Sequence, residues 1–441
     1  MADTERSNLY IEKLSKLIKK ETVSEPGQTD KTKFYEFHDL LRSCFPAVFE
    51  TCELEDFDGS ILLRWRGKNG SKSPVMLMNH HDVVSPGQGW KHDPFSACIE
   101  DGIMFSRGVL DNKGGLCCML QAAEELIESG FTPEGDIYFE SACTEETDGA
   151  GADAISKELQ KRGIRFSLVL DEGGMIMSEP LPGAKGLFAM IGVAEKGNAD
   201  LKFIARSQGG HASTPGKNTP LVRLGKFMAA VEKSNIFTSE VSPVVVEMFR
   251  RIAPHTDGPL KVVFANTDKL KLLLKKVLPA VSATAGAMLR TTLAFTMAKG
   301  SDAHNVIPQE AYVIGNMRFS HHQTGKGSIE AVRKFASEFD IETEVLNPGF
   351  ESAVSDFNSP AFKIIEKAVN ECFPGVVTSP YMMTGCSDCR FMSRVSDNCF
   401  RFTPFVIDSA QLETIHGKDE NAAVENLVPA VDFYKYVLSH S

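Results

Sequence analysis

Five stretches carry side chains suited to holding a divalent cation. They are His80-His81-Asp82, Asp111, Glu145-Glu146, Asp171-Glu172 and, far downstream, His416. Imidazole and carboxylate are suitable ligands for zinc, and a coordination position left open to water makes such a site catalytic. A bridging carboxylate can hold two metals roughly 3.5 to 4 Å apart. Such a pair lowers the pKa of a shared water and polarises a scissile carbonyl. An unligated carboxylate nearby can take the water's proton and pass it to a leaving amine. Each residue alone carries little weight. A carboxylate at a strand end is more often an N-cap or a solvated group, adjacent acids usually open an exposed helix, and a lone His is more often packing.

The elements around these residues join them. Pro74 to Asn79 is an apolar run that reads as a buried strand, and His80 follows it. Asn112 to Gly130 reads as a helix: Leu116, Leu120, Ala123 and Ile127 share a face, Gly130 is a natural stop, and Asp111 stands just before it. Asp136 to Ala142 reads as the next strand, with Glu145-Glu146 after it, and Phe166 to Leu170 precedes Asp171-Glu172. Strands alternating with helices predict an α/β domain whose mostly parallel sheet is flanked by helices. Ligands bind beyond the carboxyl ends of the strands in such sheets. The residues therefore converge on one edge, and the conjunction points to a metal site.

Elsewhere the pattern changes. Residues 5 to 20 read as an amphipathic helix, and Ser60 to Trp65 as a strand. After Gly197, Asp200 to Ala205 alternates in period two, as a half-exposed strand does. Helical stretches follow at Pro220 to Lys233, Val244 to Ile252, Asp268 to Leu278 and Ser282 to Leu293. Alternation returns at Glu310 to Phe319, and Lys326 to Phe339 and Pro360 to Glu371 read as helices. The expected organisation is a discontinuous catalytic domain, residues 1–196 and 323–441, interrupted by an inserted α+β domain at 197–322.

The chain has 441 residues and a net charge of −11, which disfavours nucleic acid and anionic membrane surfaces as main partners. The polar start MADTERSNLY lacks the apolar stretch of a signal peptide. No window approaches ~18 uninterrupted apolar residues, so no membrane span is expected. Ten scattered cysteines suit thiols in a reducing cytosol, and a cytoplasmic location is expected. Cys386-x-x-Cys389 has no second pair at zinc-ribbon spacing and reads as loop packing. Asn112-Lys-Gly-Gly115 lacks the spacing of a phosphate-cradling loop.

Six motifs in order resemble the M20 family of metallopeptidases, the aminoacylase, carboxypeptidase and succinyl-diaminopimelate desuccinylase group. They are His80-x-Asp82-Val-Val, Arg107-Gly-x-x-Asp111-Asn-Lys-Gly114, Thr144-Glu-Glu146 with Gly149, Gly209-Gly-His211-x-Ser-x-Pro215, Asn305-Val-Ile-Pro308 and His416-Gly. The resemblance covers nearly the whole chain. It implies two zinc ions per chain, with cobalt or manganese as substitutes, and it implies roles. Asp111 bridges both metals, His80 and Asp171 complete one, and Glu146 and His416 complete the other. Glu145 is the general base and then the acid, and Asp82 fixes the tautomer of His80. His81 falls on a variable position and is left out, though a shifted register would exchange it with His80. Asn112 replaces the family's usual second acid, at a position linked to the bridging Asp by a cis peptide. Gly385-Cys-Ser-Asp-Cys-Arg390 replaces the commoner Gly-Gly-Thr-Asp-Ala-Arg.

The inserted domain resembles the family's lid. It implies His211 as the group aimed at the oxyanion, with Asn305, Arg318 and Arg390 as candidates for gripping a substrate carboxylate. A homodimer through the lid is the matching expectation, with His211 acting in cis or in trans left open. The apolar Leu272-Leu273-Leu274, Val277-Leu278 and Met288-Leu289 resemble the carboxypeptidase S and N-acyl amino-acid hydrolase branch. They read as packing of lid helices, as a greasy acyl or side-chain pocket, or as a dimer face. The expected activity is hydrolysis of an amide bond in a peptide or dipeptide with a free carboxylate. The alternative is deacylation of an N-acyl amino acid by the same chemistry. A non-catalytic metal-binding protein is a third reading, which the presence of Glu145 weighs against.

Overall fold

Val75–His80 is buried at every position, as a strand covered on both faces must be. It runs parallel to Ile137–Ala142 on one side and Leu168–Asp171 on the other. Cys399–Arg401 continues the parallel run beside Leu168–Asp171. These four strands form the centre of a ten-stranded sheet that continues through antiparallel neighbours at both ends. The computed structural model from which this fold is read describes residues 3–181, 183–281 and 283–441.

Helices cover both faces of the sheet. Asp3–Lys19, Lys113–Glu128, Pro360–Cys372 and Leu427–His440 bury their apolar sides against one face. Ala150–Lys161 and the short Cys389–Met392 cover the other. Lys113–Glu128 begins directly after Asp111, across a cis peptide between Asp111 and Asn112. Gly114 and Gly115 let this helix start against the loop. A Cβ at Gly114 would stand 2.2 Å from the carbonyl oxygen of Val109, and one at Gly115 would stand 2.4 Å from the side-chain oxygen of Asn112. Buried Lys113 donates to the carbonyls of Leu17 and Lys20 at 3.2 and 2.6 Å, which ties the end of the first helix to the same loop.

A second, antiparallel sheet has the order Thr292–Lys299, Glu310–Phe319, Gly197–Arg206, Glu342–Asn347. The alternation read at 200–205 and 310–319 is present: Glu310–Phe319 buries every second side chain. Pro220–Lys233 and Gly325–Ser337 close over this sheet. Phe227 sits at the middle of that core, with ring contacts to Phe203, Phe295, Phe335 and Phe339.

Three features differ from the sequence reading. Residues 325–347, assigned there to the catalytic domain, complete the second sheet, because Glu342–Asn347 pairs with Gly197–Arg206 and Ile329, Val332 and Ala336 fill its core. The stretch read as a helix from Ser282 to Leu293 is a helix only over Ala283–Leu289 (Ser282 lies outside the described residues). Thr292–Lys299 is instead an edge strand on Glu310–Phe319. The helices Pro243–Ile252, Gly258–Ala265 and Thr267–Val281 lie within the insertion but pack on the main sheet. Val245, Met248, Phe249, Phe264 and Leu274 share a core with Phe188 and Met190.

Phe227→Ala is expected to destabilise the second-sheet unit by about 3–5 kcal/mol, the usual cost of emptying a buried aromatic site. Urea unfolding followed by hydrogen exchange should show protection lost first in 197–237 and 292–347. Uniform loss across both sheets would contradict a separate core.

Candidate active site

The carboxyl edge of the central strands gathers the predicted residues. His80 ends its strand opposite Ala142, and Asp171 ends another opposite Arg401. Asp111 lies between two imidazoles. Its Oδ1 is 2.9 Å from His80 Nε2, and its Oδ2 is 3.0 Å from His416 Nε2. His416 Nε2 is also 3.0 Å from Glu146 Oε2. Ligand atoms of His80, Asp111 and Glu146 all lie within 4.8 Å of one another. The other oxygen of Glu146 is buried without a hydrogen-bond partner. One carboxylate using each oxygen on a different imidazole, beside a second with an orphaned oxygen, is a donor set that fits cations.

Charge follows this geometry. Burial disfavours the charged form of His80, but its bonds to Asp111 and Asp82 outweigh burial and hold its pKa well above the ordinary value. Bonds to Asp111 and Glu146 push His416 up to about 10. Burial would raise the Asp111 carboxyl, yet the two histidines hold it below the usual carboxylate range. Glu145 sits beside this group, and burial with the negative charges of Asp388, Glu172 and Glu146 lifts its carboxyl well above the ordinary value, against the opposing pull of His80.

Asp82 positions the others. His80 Nδ1 lies 2.9 Å from the Asp82 carbonyl oxygen and 3.5 Å from Asp82 Oδ1. The Asp82 carboxylate also accepts the backbone N–H of Glu145 and Glu146 at 3.2 and 3.1 Å, and the Ser24 hydroxyl at 2.7 Å. One side chain thus sets both the imidazole and the Glu145-Glu146 turn. His81 points away: it stacks on Phe37, and its Nδ1 is 2.8 Å from the Ser141 hydroxyl.

Asp171 has both carboxylate oxygens engaged by backbone N–H, from Glu172 at 2.9 Å and from Cys389 at 2.8 Å. Glu172 makes no side-chain hydrogen bond among the described residues. Burial and the charges of Asp111 and Asp171 raise its carboxyl well above the ordinary value. The family resemblance implied Asp171 as the ligand and gave Glu172 no role.

Glu420 escaped the sequence reading. It is fully buried and accepts the backbone N–H of Gly108, Leu110 and Asp111 at 3.1, 2.8 and 3.1 Å. It also pairs with buried Arg107 at 2.6 Å, and Arg107 donates to the Gly417 carbonyl at 2.6 Å. Glu420 therefore clamps the loop of Asp111 to the loop of His416. An acid in Gly417-Lys-Asp-Glu420 looks like solvated loop, so composition offered no signal.

The remaining predicted residues fall in two places. Arg318 donates to Cys386 Sγ at 2.9 Å, and Arg390 to the Ser387 carbonyl at 2.7 Å, so both guanidinium groups are held by the 386–388 loop. His211 and Asn305 are exposed neighbours: the His211 strand pairs with Val306–Ile307, and Ala212 N–H donates to the Asn305 carbonyl at 2.9 Å. Among the described residues, neither side chain touches the His80–Asp111–His416 group.

Comparison with known proteins places this arrangement. Residues 76–440 match Peptidase family M20/M25/M40. The chain belongs to the M20 peptidase family. It is 30% identical over 445 residues to a probable carboxypeptidase S-like 2 of Dictyostelium discoideum, covering 98% of this chain and 84% of that one. It is also 30% identical over 413 residues to the human N-fatty-acyl-amino acid synthase/hydrolase PM20D1, covering 92% and 82%. The M20 family metallo-carboxypeptidase Sso-CP2 of Sulfolobus solfataricus shares the fold, with a TM-score of 0.69 at 16% identity, over 97% of this chain and 98% of that one. This M20 member is an enzyme, a metallopeptidase or amidohydrolase.

Glu420→Ala should cost about 3–5 kcal/mol, because it strands the Arg107 guanidinium in a buried site. Thermal unfolding checks this, and a change below about 1 kcal/mol would mean that Arg107 finds other partners. Cation loading must displace the protons that His80 and His416 hold. Affinity should therefore rise with pH towards the His416 value of about 10. Calorimetry in buffers of different ionisation heat measures the released protons, and pH-independent loading would contradict it.

Proposed function

We propose that this M20 enzyme hydrolyses the amide bond of a peptide or dipeptide bearing a free carboxylate, using two divalent cations at the Asp111 edge. Zinc is the proposed metal, with cobalt or manganese as substitutes. The observation that carries the reading is Asp111 placed between His80 and His416, with Glu146 on one side and unengaged Glu145 beside them. Asp111, between the two imidazoles, would hold the cations together with His80, His416 and Glu146. Asp171 is proposed as the second carboxylate on the His80 side: each of its oxygens accepts a single backbone N–H, which leaves a lone pair on each for a cation.

When bound, such cations would supply Lewis acidity that acidifies water and polarises the scissile carbonyl. The chain supplies the rest. Glu145 takes a proton from water as the water oxygen bonds the carbonyl carbon, and returns it to the amine nitrogen as the C–N bond breaks. Asp82 keeps His80 and Glu145 in register. Arg318 and Arg390 are suited to a substrate carboxylate, because guanidinium can bind it bidentately. N-acyl amino-acid hydrolysis is the second reading, favoured by the PM20D1 relative. The ten free thiols suit a reducing cytoplasm.

We further propose that His211 serves the partner's active site in a homodimer built through the second sheet. Its exposure and its lack of contact with the metal-type residues of its own chain support this. So do the unpaired side of Thr292–Lys299 and the exposed Met297.

Glu145→Ala is expected to keep full metal content while kcat falls about 10²–10⁴-fold. Near-normal turnover of the loaded variant would remove Glu145 as the base. By elemental analysis, Asp111→Ala should lose both metals and Asp171→Ala one, while Glu172→Gln should keep two. Loss from Glu172→Gln alone would assign the ligand to Glu172 instead. A panel of dipeptides and N-acyl amino acids separates the two substrate readings. Mixing Glu145→Ala with His211→Ala subunits should regenerate activity if His211 acts in trans, and no recovery in proven heterodimers would place it in cis.

A further inference from the structure

Gly258–Ala265 and Thr267–Val281 press their inner sides onto Pro243–Ile252. Phe264 stacks on Phe249 with ring centroids 4.6 Å apart, and Leu274 is buried in the same core. Their outer sides are unusual for solvent-facing helices. Leu272 is 75% exposed, Val262 62% and Leu273 55%, and Leu260 and Val277 are exposed as well. Large side chains exposed singly need no explanation, but two neighbouring helices that expose five of them do.

Charge distinguishes this face from the rest of the molecule. The chain as a whole carries −11, yet residues 258–278 contain Lys261, Lys269, Lys271, Lys275 and Lys276 against a single acid, Asp268. Asp268 is paired with Lys271 at 2.8 Å. Lys261, Lys269, Lys275 and Lys276 have no ion pair among the described residues. Over 267–279 the exposed residues are Asp268, Lys269, Leu272, Leu273, Lys276 and Val277. At 3.6 residues per turn, Lys269, Leu272, Leu273, Lys276 and Val277 form one continuous stripe of leucine and lysine. Apolar side chains that enter an acyl boundary, flanked by lysines at headgroup height, are what an interfacial helix presents to an anionic lipid surface. A second copy of this chain would bring four more unpaired lysines against these four, so charge disfavours self-association through this face.

We propose that the outer face of Gly258–Ala265 and Thr267–Val281 docks the enzyme onto the surface of an anionic lipid bilayer. The net charge of the whole chain argues against such a partner only on average. A patch acts through its local field, because salt screens the distant acids over about 8 Å. No helix among the described residues is long and apolar enough to cross a membrane, so the contact is peripheral. The proposal does not depend on the substrate reading, but it suits an enzyme whose relative is named for N-fatty-acyl amino acids, which are amphiphiles that collect at such surfaces.

The test uses the metal-loaded full chain in co-sedimentation with vesicles of phosphatidylcholine alone and vesicles enriched in phosphatidylglycerol. Binding should favour the anionic vesicles and weaken with salt. Lys269→Gln/Lys276→Gln should bind roughly thirtyfold more weakly. Leu272→Asp/Leu273→Asp should abolish binding. Both pairs are exposed, so turnover of a soluble dipeptide should be unchanged in each variant. Failure of the unaltered chain to prefer anionic vesicles overturns the proposal, as does undiminished binding by the leucine variant. A leucine variant that changes sedimentation mass while vesicle binding stays the same would assign the face to a second copy instead.

Discussion

Buried like charge is the constraint on which the rest of this molecule depends. Asp82, Asp111, Glu145, Glu146, Asp171 and Glu172 meet at one sheet edge, with buried Glu140 and Asp388 close behind and Glu420 beneath the Asp111 loop. Carboxylates cannot crowd a low-dielectric region unless something offsets them. The protein deals with them in different ways. Asp82, Asp171 and Glu420 accept backbone N–H groups, with Ser24 and Arg107 helping. Among the described residues Glu140 and Asp388 have no hydrogen-bond partner on either oxygen, Arg390 standing 3.7 Å from Asp388 Oδ1, and burial raises both carboxyls, that of Asp388 to about 7. Asp111, Glu145, Glu146 and Glu172 are left with imidazole or nothing. Asp111 and Glu146 are proposed to meet cations and Glu145 to carry a proton, with Asp171 joining them through the lone pairs that its N–H bonds leave.

This division explains the loops around the site. Asp111 needs a backbone that turns sharply into a buried helix, which Gly114 and Gly115 permit by close approach and Glu420 holds by three N–H bonds. His416 sits four residues before Glu420, so one clamp places both Asp111 and its second imidazole. The region joining the two sheets has a clamp of its own. Cys386 Sγ contacts Arg318 of the second sheet, and donates to the carbonyl of Lys196 where the main sheet gives way to it.

The insertion divides by packing rather than by position in the chain. Residues that alternate in period two, together with the helices over them, built their own core around Phe227. The helices between Pro243 and Leu289 pack elsewhere, because the apolar face of that sheet is already covered by Pro220–Lys233 and Gly325–Ser337. They buried their apolar sides on the main sheet at Phe188 and Met190. Their outer sides were left with leucine and lysine.

Much of this was legible in the residues themselves. Continuous apolar runs marked the central strands because strands covered on both faces cannot alternate, and the order of strands and helices put His80, Asp111 and Glu145-Glu146 at one edge. Period-two alternation marked Asp200 to Ala205, within the strand Gly197–Arg206, and Glu310–Phe319, because each has one face on a core and the other open. Local pattern could not reveal anything set by a partner distant in the chain. Thr292–Lys299 became a strand because Glu310–Phe319 offered an edge, and 325–347 joined the second sheet because Gly197–Arg206 offered the other. The backbone N–H that holds Asp171 Oδ2 comes from Cys389, 218 residues away. Glu420 gained its role from Arg107, 313 residues away. Residue types and periodicity determined which chemistry this chain could do; long-range pairing decided how its many acids are held.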